Sequence, residues 1–131
     1  MTAHVEERIR LLLIDDSEIV LAALSSGLTS VGFEVCAVST LRAFVNALID
    51  WKPHMIVTDL YMPEMSGADL CTWIRKQMPT KKIPIVVCSG APEKELEEVV
   101  RTSGADAFLS KRQELSVLSE RIKALCDTIV W

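Results

Sequence analysis

"RLLLIDDSEIV", residues 10–20, opens as an unbroken apolar run, stops at two adjacent carboxylates and continues as a helix-like stretch. An apolar run without polar alternation reads as a strand covered on both faces, which is the habit of parallel sheets. Ser17, directly after the acids, is a fair helix N-cap, so the stretch reads as one strand-then-helix unit. Asp15 and Asp16 need a separate reason. Two like charges about 4 Å apart repel by roughly 4 kcal/mol at an effective dielectric near 20, so something must compensate them.

The same unit repeats four more times. "IRLLLID" (9–15) is followed by helix-like "SEIVLAALSSGLTSVG" (17–32), with Gly32 a fair C-cap, and "FEVCAVS" (33–39) by "TLRAFVNALIDW" (40–51). "MIVTD" (55–59) precedes "GADLCTWIRKQM" (67–78), stopped by Pro79. "IPIVVCSG" (83–90) precedes "PEKELEEVVRTSG" (92–104), which opens with proline in its first turn and ends at glycine. "DAFLS" (106–110) is a short fifth strand, and "LSVLSERIKALCDTIVW" (115–131) an amphipathic last helix. On the first helix Val20, Leu24, Leu28 and Val31 form the expected core stripe. The opposite face, Ile19, Ala22, Ala23 and Ser26, is low in charge and suits a partner helix laid across it. Five such units, undivided by any composition shift, sequence repeat or low-complexity linker, predict a doubly wound α/β fold: a five-stranded parallel sheet with helices on both sides.

Composition narrows the function. The 131 residues read as a single domain, 1–131, large enough to bury about two-thirds of the unfolded surface. Net charge is −4, and no basic cluster exceeds Lys81-Lys82, read as a solvated loop, which argues against direct nucleic-acid binding. No apolar stretch approaches the roughly 20 residues of a membrane span, and "MTAHVEERIR" has no signal-peptide core. Cys36, Cys71, Cys88 and Cys126 form no CxxC pair and read as buried thiols of a reducing, cytoplasmic protein. His4 and His54 stand apart from any ligand cluster and receive no metal role.

Parallel sheets of this kind bind ligands beyond the carboxyl ends of their strands. There the sequence places Asp15 and Asp16 at the end of strand one, Asp59 at the end of strand three, Ser89 at the end of strand four and Lys111 just after strand five. Each has an ordinary alternative: a helix cap, a turn, a Ser-Gly turn pair, a solvated lysine. Their coincidence at one edge is harder to dismiss. Clustered carboxylates are hard oxygen ligands suited to Mg²⁺, which would relieve the repulsion and leave one carboxylate as a nucleophile toward phosphorus. A lysine and a hydroxyl suit phosphoryl oxygens.

In "LLIDDS", "VTDLYMPEMSG" with its D-x-x-M-P-x-M-x-G pattern, "VVCSGA" and "GADAFLSK", taken in order, the chain resembles the response-regulator receiver domains of two-component signalling over essentially its whole length. The resemblance implies a flavodoxin-like fold with strand order 2-1-3-4-5, an order for which receiver proteins are a standard example. It implies that Asp59 accepts a phosphoryl group from a sensor histidine kinase or a histidine phosphotransfer protein, without the chain being an enzyme in the ordinary sense. It implies that Asp16, Asp59 and the backbone carbonyl of Tyr61 bind Mg²⁺ directly, with Asp15 acting through water. Ser89 and Lys111 would hold phosphoryl oxygens, and Phe108 would be the aromatic that changes rotamer on activation.

One position departs from the family pattern: Arg112 follows Lys111, where a proline in a cis bond is usual. The bond is either trans in an altered loop, or cis at a cost of about 2.5–4 kcal/mol. A receiver-like module that binds partners without phosphorylation is the alternative function, although such modules usually lack one of the five site residues. A phosphatase would need Asp-x-Asp rather than Asp-Asp, and no G-x-G-x-x-G follows strand one. No effector domain follows, so the chain reads as a stand-alone receiver or one taken from a longer protein. Its output partner is not written in the sequence.

Overall fold

A computed structural model describes residues 8–129. The order is β1 (Arg10–Ile14), α1 (Glu18–Ser30), β2 (Glu34–Val38), α2 (Leu41–Asp50), β3 (Met55–Asp59), α3 (Gly67–Gln77), β4 (Ile85–Ser89), α4 (Glu93–Ser103), β5 (Ala107–Ser110) and α5 (Leu115–Thr128). The five strands form one sheet in the order β2-β1-β3-β4-β5, and every pairing is parallel.

Alternation along the strands divides the core in two. Leu12, Ile14, Ile56, Ile85 and Val87 face a layer built by α2, α3 and α4, which contributes Phe44, Leu48, Leu70, Ile74 and Leu96. Leu11, Leu13, Val57, Val86 and Cys88 face α1 and α5, which contribute Leu24, Leu28, Leu118 and Ile122. Both faces of the three central strands are therefore sealed. Each fully buried Leu or Ile adds about 1.5–3 kcal/mol of transfer free energy.

Helix starts follow the polar residues that precede them. Ser17, Thr40 and Ser66 accept hydrogen bonds from the backbone amides of Val20, Ala43 and Asp69 at 3.3, 3.2 and 3.1 Å. Helix α4 ends at Gly104, whose φ of 90° lies in the left-handed region that favours glycine.

Some expectations shift. The buried line on α1 is Leu21, Leu24 and Leu28; Val20 lies at its edge, half-buried. Strand β1 ends at Ile14 rather than running through Asp15; Asp15 N still donates to Val38 O at 3.3 Å, and the Asp15 carboxylate turns back to accept from Ser17 N at 2.9 Å. Phe33 precedes β2 instead of belonging to it, and is itself buried. Helix α5 ends at Thr128; residues 130–131, like His4 and the rest of 1–7, lie outside the described residues. No cis peptide bond occurs among the described residues, so the Lys111–Arg112 bond is trans.

Candidate functional site

The carboxyl ends of β1, β3, β4 and β5 meet at one edge. Asp15, only 2% exposed, follows β1, and Asp59 is the last residue of β3. Asp16 is exposed beside them, and one carboxylate oxygen from each of the three acids lies within 4.8 Å of the others. Lys111, directly after β5, ion-pairs with Asp15 Oδ2 and places its Nζ 3.3 Å from Asp59 Oδ1. The repulsion raised by the sequence is thus partly answered from within the chain. Three carboxylates against one ammonium leave a formal charge of −2 in an oxygen-only cluster, which fits one hard divalent cation.

The electrostatics agree with that geometry. Burial pushes the Asp59 carboxyl above the usual carboxylate range, with Lys111 pulling it down and Asp15 pushing it further up. Burial alone would lower the Lys111 ammonium, but Asp15 and Asp59 outweigh it and hold the group above its ordinary value. Asp59 Oδ1 also accepts from Leu60 N at 2.8 Å, which fixes the orientation of the carboxylate.

Ser89, the last residue of β4, is 1% exposed; its hydroxyl accepts from Ala91 N at 3.2 Å and its carbonyl accepts from Lys111 N at 2.9 Å. The serine and lysine loops are therefore stitched together. Phe108, one strand further out, pairs in register with Val87 and is only partly buried. Tyr61 stands apart. Its side chain is 56% exposed, and its hydroxyl donates to Glu95 at the start of α4, away from the acids.

Two features of the site were not read from the sequence. Gly67 N donates to Leu60 O at 2.7 Å, and a Cβ at Gly67 would lie 2.1 Å from the Asp59 carbonyl oxygen. The glycine that ends the D-x-x-M-P-x-M-x-G pattern is thus the one residue that lets α3 start against the back of Asp59. The pattern marked the position but not the reason. In the loop after Lys111, Arg112 Nε donates to Gly90 O at 3.2 Å, joining the loops beyond β4 and β5.

A parallel sheet covered on both faces, with three acids and a lysine at its carboxyl edge, defines an α/β protein with a cation-ready acidic site. Residues 11–123 match the family model of the response regulator receiver domain, and the chain belongs to that family. The transcriptional regulatory protein PrrA of Mycobacterium leprae is 35% identical over 117 residues, covering 88% of this chain and 49% of PrrA. The transcriptional regulatory protein GltR of Pseudomonas aeruginosa is 30% identical over 115 residues, covering 88% of this chain and 48% of GltR. The chain therefore spans about half the length of these curated relatives. The solved response regulator from Desulfuromonas acetoxidans is 31% identical with a TM-score of 0.78, covering 93% of this chain and 99% of that one. Receiver domains are phosphoacceptor signalling domains of two-component systems, phosphorylated by histidine kinases, and they bind Mg²⁺ at this acidic cluster. No helix among the described residues is long and apolar enough to cross a membrane.

Proposed function

We propose that this chain is a phosphorylation switch in which Asp59 takes a phosphoryl group from a partner's phosphohistidine. The convergence of Asp15, Asp16, Asp59 and Lys111 at one sheet edge carries the reading. Leu60 N and Lys111 hold Oδ1 of Asp59, which leaves Oδ2 to attack phosphorus as the P–N bond to the donor imidazole breaks. Asp16, Asp59 and the Tyr61 carbonyl would hold Mg²⁺, with Asp15 engaged through water; the ion supplies charge neutralisation for the phosphoryl oxygens. Lys111 moves from its carboxylate partners to a phosphoryl oxygen, and the Ser89 hydroxyl donates to another.

The same contacts support a switch. Drawing Ser89 toward the phosphoryl group vacates space for the Phe108 ring. Moving a two-state equilibrium from 1:99 to 99:1 takes about 5.5 kcal/mol. A charge-assisted hydrogen bond contributes roughly 1.5–3 kcal/mol, so Ser89 and Lys111 are both required.

Incubation with acetyl phosphate and Mg²⁺, followed by intact-protein mass spectrometry, tests the acceptor. One phosphoryl group, labile in base and lost in Asp59→Asn with Asp15 and Asp16 untouched, is the expected result. Undiminished labelling of Asp59→Asn would assign the nucleophile elsewhere.

A further inference from the structure

The amino ends of the strands carry a second concentration of charge, opposite in sign to the first. A cleft of about 400 Å³ opens there, between the first residue of β1 and the loops that lead into β3 and β4. Its rim holds Arg10, Lys52, Lys81 and Lys82, and no carboxylate is among its lining residues. For a chain of net charge −4, four cations around one cleft are a marked local excess. Arg10 is already engaged: Nε donates to the carbonyls of Trp51 and Lys52 at 3.1 Å each, and Nη2 donates to Lys52 O at 2.7 Å. That contact closes the C-terminus of α2, where a cation suits the helix dipole. Lys52, Lys81 and Lys82 are different. Among the described residues none of their ammonium groups makes an ion pair or a hydrogen bond.

The floor is apolar, with Leu48, Met78 and Ile83 lining it. A basic patch on a flat polar surface would take any anion. A concavity within the size range of small-molecule sites, apolar below and cationic at the mouth, selects an anion that carries an apolar body. We propose that this cleft binds a small organic polyanion of the nucleoside diphosphate class. Its ring system lies against Met78, the half-buried member of the floor, with the buried Leu48 and Ile83 closing the floor beneath, and its phosphates lie among Lys52, Lys81 and Lys82. The strands separate this cleft from the acidic edge by roughly 16 Å, five residues at about 3.3 Å each, so the two sites bind independently of direct contact.

The test is a titration of the whole chain with adenosine diphosphate, with pyrophosphate, and with an acidic peptide, read by backbone amide NMR shifts. Metal-free buffer keeps the phosphates off the acidic edge. Saturable shifts at Lys52, His54 and residues 81–83 are expected with adenosine diphosphate, at least about fivefold tighter than with pyrophosphate, or about 1 kcal/mol. Lys81→Gln/Lys82→Gln, both exposed positions, should weaken that binding about tenfold while leaving acetyl phosphate labelling of Asp59 unchanged. Equal affinity for pyrophosphate and the nucleotide would reduce the cleft to a basic patch and overturn the proposal. Tighter binding of the acidic peptide would assign the surface to a protein partner instead. Absence of saturable shifts, or shifts unaltered in the double variant, would overturn the site altogether.

Discussion

Lys111 is the residue on which the resting site depends. It lies between the buried Asp15 and the half-buried Asp59, and its removal leaves the carboxylates facing one another without an internal counter-charge. Breaking a largely buried pair of this kind costs about 3–5 kcal/mol, so Lys111→Met should lower stability by that order in metal-free urea unfolding. Added Mg²⁺ should recover part of the loss. The pH dependence has a definite sign. The folded Lys111 ammonium is held above its ordinary value, so its stabilisation is complete below the unfolded value of 10.5 and is lost as pH rises through the higher folded value. The melting temperature of the wild type should therefore fall above pH 10.5 by a component that Lys111→Met lacks. The acids themselves were legible, because polar residues ending apolar strands stand out in any parallel α/β pattern. The ion pair was not, since its partners are 96 residues apart and only the folded sheet brings them together. The cysteines read correctly as buried thiols for three of the four, Cys36 being half-exposed; burial pushes Cys71 up to about 11 and Cys88 up to about 12.

At the scale of elements, α3 and α1 carry the sharpest expectations. Helix α3 begins so close to β3 that only hydrogen fits between Gly67 and the Asp59 carbonyl, a backbone atom that cannot rotate aside. Gly67→Ala must displace either the helix or the acceptor. It should cost about 2–3 kcal/mol in thermal unfolding and slow acetyl phosphate labelling in proportion to the displacement of Asp59. Helix α1 leaves Ile19 83% exposed, with Ala22, Ala23 and Ser26 exposed beside it, next to the acidic edge. If the donor helix lies there, Ala22→Glu should slow transfer from the cognate kinase severalfold while transfer from acetyl phosphate is unchanged; equal slowing of both would remove the docking role. The ten elements themselves were readable from apolar runs, caps and prolines. The one-residue error on α1, Val20 for Leu21, arose because a wide apolar helix face offers two adjacent stripes and only the sheet beneath selects one. Strand ends moved by a residue or two, since an apolar run in the sequence continues past the last ladder pair: Phe33 is buried although β2 begins at Glu34.

The whole molecule is a sheet with opposite charge at its two ends: acids beyond the carboxyl edge, lysines around the cleft at the amino edge. Mg²⁺ bound to the native acidic cluster and not to the unfolded chain should stabilise the fold by roughly 2.7 kcal/mol at 100 times its dissociation constant. Thermal unfolding with and without Mg²⁺ reads that gain directly, and Asp16→Ala should abolish most of it. The acidic end was visible in the sequence because each acid sits within a recognisable motif. The basic end was not, because its cations come from three separated segments, and Lys81-Lys82 alone reads as an ordinary solvated loop. The pairing of Lys111 with Asp15 also bears on how the chain is made. Translation proceeds at about 5–20 residues per second, so Lys111 is added roughly 5–20 s after Asp15. Through that interval the nascent strands carry their acids with no internal counter-ion. The sheet gains its internal counter-charge only when β5, one of its two edge strands and the one that Lys111 follows, has joined it.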